Sequence, residues 1–187
     1  MIRPAHRGDL DTILAMRQEA ARWLAQRGID QWSAPWPSEE GLKATILAAI
    51  DSGDTWMAEE SGQVIGTITV DSRTPPPGLW TPAELAEPAQ YVHRLIVRRA
   101  AAGQGLGARL LTWADEMAAQ RGARWLRLDV WTTNKPLRRY YQQLGFRLVR
   151  VVHRADYPSG ALLQRPISAD TPHQMAQTSP SARQAAP

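Results

Sequence analysis

The sequence predicts an α/β domain built on a mixed, mostly antiparallel sheet of about six to seven strands with about four helices. Three observations lead there. Segments with strand and helix periodicity succeed one another in the order β-α-α-β-β-β-α-β-α-β-β, without an internal repeat. Residues 95–111 read as an apolar strand, a loop broken by Gly103, Gly105 and Gly107, and an amphipathic helix. A chain of 187 residues, 43% hydrophobic and 21% charged, is long enough to bury the core of one domain.

Each element has its own local reason. Ile2 and Arg3 begin a short strand. Asp9 then caps a helix with Leu10, Ile13, Leu14, Ala20, Ala21 and Leu24 on one side, stopped by Gly28. Trp32, Pro35, Trp36 and Pro37 make an aromatic loop. Ser38, followed by Glu39 and Glu40, starts a second helix whose stripe is Leu42, Ile46, Leu47 and Ile50, with Gly53 beyond its end. Residues 55–60 and 63–71 flank the Ser61-Gly62 turn as an antiparallel hairpin. Pro75, Pro76, Pro77, Pro82 and Pro88 then exclude both a strand interior and a regular helix, which predicts a long loop, either a lid or a surface insertion. Residues 91–97 form the next strand. The helix over 106–121 turns Leu106, Leu110, Ala114, Met117 and Ala118 inward and stops at Gly122. In the strand over 124–131, Leu126, Leu128 and Val130 face one way. Pro136 suits the first turn of a helix running to Leu144 and ended by Gly145, and residues 146–152 and 161–164 supply two more strands. From about Ser168 the composition turns to Ser, Ala, Gln, Thr and Pro. The expected organisation is therefore a domain over 1–167 and a disordered tail over 168–187.

Composition narrows the chemistry. Zero cysteines excludes disulfides, thiolate metal sites and cysteine nucleophiles, and His6, His93, His153 and His173 have no ligand-like spacing, so no metal is expected. No stretch has the ~18 to 20 apolar residues of a membrane span, and residues 1–4 do not lead into a signal-peptide core, so a cytoplasmic protein without membrane partners is expected. The net charge of +4, from 22 Lys+Arg against 18 Asp+Glu, does not by itself single out an anionic ligand.

The loop at 103–107 carries the strongest signal. Glycines without Cβ let the backbone turn tightly and aim several N–H groups at one anion, and the following helix adds the positive end of its dipole. A diphosphate fits there without a lysine. Gly103 to Ala108 also satisfies G-x-G-x-x-A, with Asp129 at a suggestive distance, but a dinucleotide fingerprint wants a very short turn after the strand. Here residues 98–102 intervene, and two helices and a hairpin come earlier.

The segment from Val97 to Gly107 resembles motif A of the GNAT superfamily of acyl-coenzyme-A-dependent N-acetyltransferases in its spacing and three glycines, with Arg99 at the usual proline and Ala102 at the usual arginine or glutamine. A second, independent segment, Asn134 through Tyr141 to Gly145-Phe146, resembles the superfamily's Asn…Tyr-x-x-x-Gly-Phe motif. The resemblance covers roughly residues 1 to 165. It implies the GNAT fold, acetyl-CoA as co-substrate, and transfer of an acetyl group to an amine by direct attack. It further implies that the backbone of Leu95, Ile96 and Val97 pairs with the pantetheine arm. Gly103, Gln104, Gly105, Leu106, Gly107 and Ala108 would hold the diphosphate, Asn134 would contact the cofactor, and Tyr141 would protonate the departing thiolate. Asn134 also suits a helix N-cap, and Tyr141 a core aromatic.

The general base stays open. One branch of the superfamily starts this strand with a glutamate where Tyr91 stands here, so that role does not carry over. His93, placed by alternation on a face with Tyr91, Leu95 and Val97, is the candidate, with a water chain as the rival. Trp32 and Trp36 are the candidate acceptor contacts, with Asp30 or Glu84 to hold a cation. Trp23, Trp56, Trp113 and Trp125 read as core or rim. Arg98, Arg99, Arg109, Arg138 and Arg139 form a solvated face from which one or two side chains would reach the 3′-phosphate. The leading acceptor is a small-molecule amine; the alternatives are protein or aminoacyl-tRNA amines, or a noncatalytic acyl-CoA-binding regulator. The absence of a concentrated basic stripe argues against nucleic acid as a partner. Acyl length and oligomeric state do not follow from these residues, and a homodimer stays open.

Overall fold

The computed structural model describes residues 1–73 and 75–167, so the expected tail over 168–187 lies outside the described residues. Seven strands form one sheet in the order β1-β2-β3-β4-β5-β7-β6. They are β1 (Ile2–Pro4), β2 (Thr55–Glu60), β3 (Gln63–Asp71), β4 (Ala89–Val97), β5 (Trp125–Val130), β6 (Arg147–Val151) and β7 (Ala161–Pro166). Only β4 and β5 pair in parallel; the other neighbours are antiparallel. The helices are α1 (Leu10–Ala25), α2 (Glu39–Asp51), α3 (Pro82–Leu85), α4 (Leu106–Gln120) and α5 (Lys135–Gln143). Among the described residues no helix is long and apolar enough to cross a membrane.

Helices cover both faces of the sheet because alternate strand residues demand it. Ala58 packs with Leu110, Leu111, Ala114, Ala118, Tyr141 and Phe146 under α4 and α5, while its neighbour Met57 packs with Ile13, Ile46 and Ile50 under α1 and α2. Ser38 caps α2 by accepting from the Gly41 N–H at 3.0 Å.

The proline-rich connection differs from the expected loop in one respect. Thr81 and Glu84 form a capping box that starts the short helix α3, with Pro82 in the first turn, where its missing N–H costs nothing. The connection is also fastened to the sheet. Arg127 of β5, fully buried, donates to Glu84 O at 2.6 Å, Glu87 Oε2 at 2.9 Å, Gln164 Oε1 at 3.0 Å and Tyr91 Oη at 3.3 Å, and lies over Trp80. A buried guanidinium needs such a complete set of acceptors. Arg150 adds a two-pronged ion pair to Glu84. Glu84 is therefore engaged in holding the loop, and neither it nor any other described residue of 72–88 lines the main cavity.

The second difference lies in β4. Thr67 pairs with Ile96 and Thr69 with His93, so β4 fits one more residue than β3 into the same interval. Arg94 in this bulge takes φ 48°. The extra residue reverses the alternation: Leu95 and Val97 join Val92 against the α4 side, whereas Tyr91 packs with Leu79, Trp80 and Leu162. His93 therefore does not share a face with Leu95 and Val97.

Candidate active site

The cavity arises where two parallel strands part. β4 and β5 are paired from Ala89↔Trp125 to Val92↔Leu128, after which β4 runs on to Val97 without β5 beside it. Its other edge stays paired with β3 through Gly66↔Val97. The result is a stretch of strand backbone, residues 93–97, with one edge unpaired inside a cavity of about 1010 Å³. Single-ligand pockets run from ~300 to ~1,000 Å³, so this one stands at the top of that range and suits a long ligand.

At one end lies the glycine loop. Gly103 and Gly105 take φ 82° and 74°, which a side chain would resist, and Gly105 is the N-cap of α4. The main-chain N–H groups of residues 103–108 have no acceptor among the described residues; those of Leu106, Gly107 and Ala108 open a helix and so lack an intrahelical one. Orphan amides at a helix N-terminus, beside an unpaired strand edge, suit a long ligand with an anionic middle. Gly103, Gly105, Leu106 and Gly107 line the cavity, as do Leu95, Ile96 and Val97; Gln104 and Ala108 do not, and the Gln104 side chain reaches towards Ala100 O at 3.5 Å. Gly107 has a further reason to be glycine, because a Cβ there would stand 2.6 Å from Tyr140 Oη.

Of the flanking arginines, Arg99 lines the cavity, stacked 3.9 Å over Trp23; Arg98 donates to Val64 O and Arg109 to Gln104 O, both at 3.0 Å. Trp23 thus belongs to the cavity wall rather than to the core.

In the middle, α5 presents Asn134 and Tyr141. Asn134 is buried and makes two bonds: its Oδ1 accepts the Leu137 N–H at 3.0 Å as the N-cap, and its Nδ2 donates to Gln31 Oε1 at 2.6 Å. Tyr141 packs edge-on against Tyr140 and Phe146, and its ring lines the cavity. Burial raises its phenol well above the ordinary value, so the hydroxyl keeps its proton at neutral pH.

The far end holds the titratable groups. His93 Nε2 lies 3.5 Å from Asp71 Oδ1. Burial opposes ionisation of Asp71, but His93 and Arg73 hold its carboxyl down to about 2. Asp129, the β5 residue just past Leu128, accepts from Tyr157 Oη at 2.9 Å; burial raises its carboxyl, and the charge of His93 opposes that rise. Asp129, Arg94 and Tyr157 all line the cavity, and sequence reasoning did not assign them there. One signal was available for Asp129, a carboxylate inside the otherwise alternating apolar strand. Trp32 and Trp36 both line this end. Trp36 Nε1 donates to Asp156 O at 3.0 Å and its ring meets Tyr157 edge-on at 5.1 Å, so the loop between α1 and α2 is clasped to the loop before β7. Asp30 accepts from Trp131 Nε1 at 2.9 Å and from Thr133 Oγ1, which ties the same loop to the start of α5 and engages the carboxylate offered by sequence as a cation holder. Tyr91 is buried behind the sheet and does not line the cavity. Among the described residues no group of three or more His, Cys, Asp or Glu is arranged to hold a metal ion.

The profile of the Acetyltransferase (GNAT) family matches residues 17–146, from the middle of α1 to the residue before β6. The chain belongs to the GNAT acetyltransferase family. It is 28% identical over 171 residues to an uncharacterized N-acetyltransferase, YesJ, of Bacillus subtilis, covering 89% of this chain and 90% of that protein. An uncharacterized N-acetyltransferase of Archaeoglobus fulgidus is 25% identical over 146 residues, 78% of this chain and 92% of that one. The fold is similar to a GNAT acetyltransferase from Listeria monocytogenes, with TM-score 0.66, 22% identity and coverage of 89% and 94%. It is also similar to YncA, a putative acetyltransferase from Salmonella typhimurium solved with acetyl-CoA, with TM-score 0.64, 18% identity and coverage of 94% and 98%. The protein is accordingly an acetyl-CoA-dependent N-acetyltransferase of the GNAT fold. Its unpaired β4 edge and free loop amides fit the arm and diphosphate of that co-substrate.

Proposed function

We propose that this N-acetyltransferase moves the acetyl group of acetyl-CoA directly onto a small-molecule amine, both reactants being bound together, and that residues 1–167 form its single catalytic domain. The observation carrying this reading is the convergence in one cavity of free loop amides, Tyr141 and His93, the last backed by Asp71. The acceptor end supports a small molecule: Trp36, Tyr157, Asp30 and Trp131 lace the surrounding loops together, which suits a compact ligand better than a protein segment lying in an open groove.

The residues divide the work. Loop amides 103–108 fix the diphosphate, and the β4 edge orients the arm, which makes the attack effectively intramolecular. His93, oriented by Asp71, accepts a proton from the amine as its nitrogen forms the bond to the carbonyl carbon. As the carbon–sulfur bond breaks, its electron pair stays on sulfur and Tyr141 Oη delivers a proton there; the phenol is restored by solvent. The products are the amide and free thiol. A phenol at ~10 is a weak acid for a thiolate at ~8.5 in water. Burial raises the Tyr141 phenol further, so Oη still carries its proton when the carbon–sulfur bond breaks.

Thiol release with acetyl-CoA across a panel of amines tests the proposal. Tyr141→Phe keeps the ring contacts and is expected to lower kcat by ~100-fold or more with the KM for acetyl-CoA little changed. An unchanged kcat removes Tyr141 from the chemistry, and a panel that yields no thiol overturns the small-amine reading.

A further inference from the structure

Two arginines of the acceptor end, Arg17 and Arg94, have no carboxylate within 4.0 Å among the described residues, and Arg94 lacks a backbone acceptor as well. Arg94 lines the cavity from the β4 bulge, two residues beyond the last β4–β5 pair, and its only hydrogen bond among the described residues is a long one, Nη2 to Thr69 Oγ1 at 3.4 Å. No carboxylate stands within 4.0 Å of it among the described residues, and the nearby ones are engaged. Asp71 is paired with Arg73 at 2.8 Å and with His93, and Asp129 takes the Tyr157 hydroxyl. Thr69 Oγ1 is itself shared with Thr55 Oγ1 at 2.9 Å. Arg17, the neighbouring cavity arginine, differs: it donates to Ala34 O at 3.1 Å and lies over the Trp32 ring.

Leaving a guanidinium in that condition is costly. Burial pulls Arg94 down to about 10, a range that arginines seldom reach. Its backbone sits at φ 48°, a strained region for a non-glycine residue, in a bulge that turns its side chain out of the strand's alternation. Strain and an unpaired, half-buried charge at one residue, in the wall of a substrate cavity, mark a group kept for a ligand. Asp129, one residue past the last pair on β5, lines the same cavity and bears on His93, where the amine must lose its proton.

We infer that the acceptor is an amino carboxylate, its carboxylate held by Arg94 and its amine directed to the His93–Asp129 side of the cavity. The inference rests on the small-amine reading above and narrows it. An amino carboxylate supplies the anion that Arg94 lacks, whereas a plain amine leaves Arg94 without one and brings a second cation into the same cavity. Arg94 is thereby a specificity-determining residue, not a participant in bond making.

The test is thiol release by the full chain on matched pairs: L-phenylalanine against phenethylamine, L-tryptophan against tryptamine, L-methionine against 3-(methylthio)propylamine, with the methyl ester of each acid. The expected result is that at least one acid exceeds both its decarboxylated partner and its ester by about 10- to 100-fold in kcat/KM, the range of a hydrogen bond to a charged group. In Arg94→Gln that ratio falls towards unity through a higher acceptor KM, while Arg94→Lys keeps part of it; coenzyme A titration verifies that each variant folds. Pairs whose decarboxylated members react as well as or better than the acids overturn this inference and leave the acetyltransferase of small amines standing. If no member of any pair releases thiol, both readings fail. Should Arg94→Gln not fold, the ratios of the native protein alone decide.

Discussion

Replacing Gly107 by alanine tests how closely α5 is packed over the start of α4. The added Cβ would stand 2.6 Å from Tyr140 Oη, nearly an ångström inside ordinary contact, while the next Tyr140 atom, Cζ, is at 3.6 Å, an ordinary distance. The obstruction is therefore one hydroxyl oxygen. Tyr140 is 36% exposed and can swing outward, so the expected loss of stability is about 1–3 kcal/mol, the range for overpacking. Because both residues line the cavity, the displaced ring should also raise the KM for acetyl-CoA. Gly107→Ala/Tyr140→Phe removes the obstructing atom and should recover most of both losses, with a coupling of at least about 1 kcal/mol in a double-mutant cycle. Thermal melts and acetyl-CoA saturation curves of the four proteins measure this. A neutral Gly107→Ala, or a double variant no better than the sum of the singles, refutes the packing described.

Asn134→Ala removes a helix cap worth ~1 kcal/mol and orphans Gln31 Oε1, for a further ~1–3 kcal/mol, so its melting midpoint should fall well below that of a surface alanine variant such as Lys43→Ala. Glu84 bears on acid stability. Arg150 holds its carboxyl at about 2 against an ordinary 4.5, a depressed value, so the stabilisation is complete above 4.5 and is lost as pH falls towards 2. Glu84→Gln should be less stable than the native protein at pH 7 by on the order of 1 kcal/mol, with the gap closing between pH 4.5 and 2; a gap that is flat across that window contradicts the assignment.

Much of the fold is legible because its determinants are local. The Ser38 cap, the Ser61-Gly62 turn, Gly122 and the alternation of Leu126, Leu128 and Val130 each fix an element within a few residues, and the structure agrees at those places. The Thr81-to-Glu84 box was legible too, but the surrounding prolines hid it. What escaped the sequence is non-local or lacks a residue signature. A bulge built on Arg94, without glycine, leaves the alternation of β4 readable only with the wrong parity. The partners that occupy Asp30 and Glu84 lie 101 to 103 and 66 positions away. In the same way, that Arg94 lacks a carboxylate becomes visible only once the positions of Asp71 and Asp129 are known.

The account depends most on the main-chain amides of residues 103–108 meeting the diphosphate of coenzyme A. Amide hydrogen exchange of the full chain, with and without saturating coenzyme A, reads those amides directly. Slowed exchange in peptides spanning 103–108 and the 93–97 edge of β4, with little change in β1 or β2, is the predicted result. Unchanged exchange at 103–108 when the ligand is bound would contradict it.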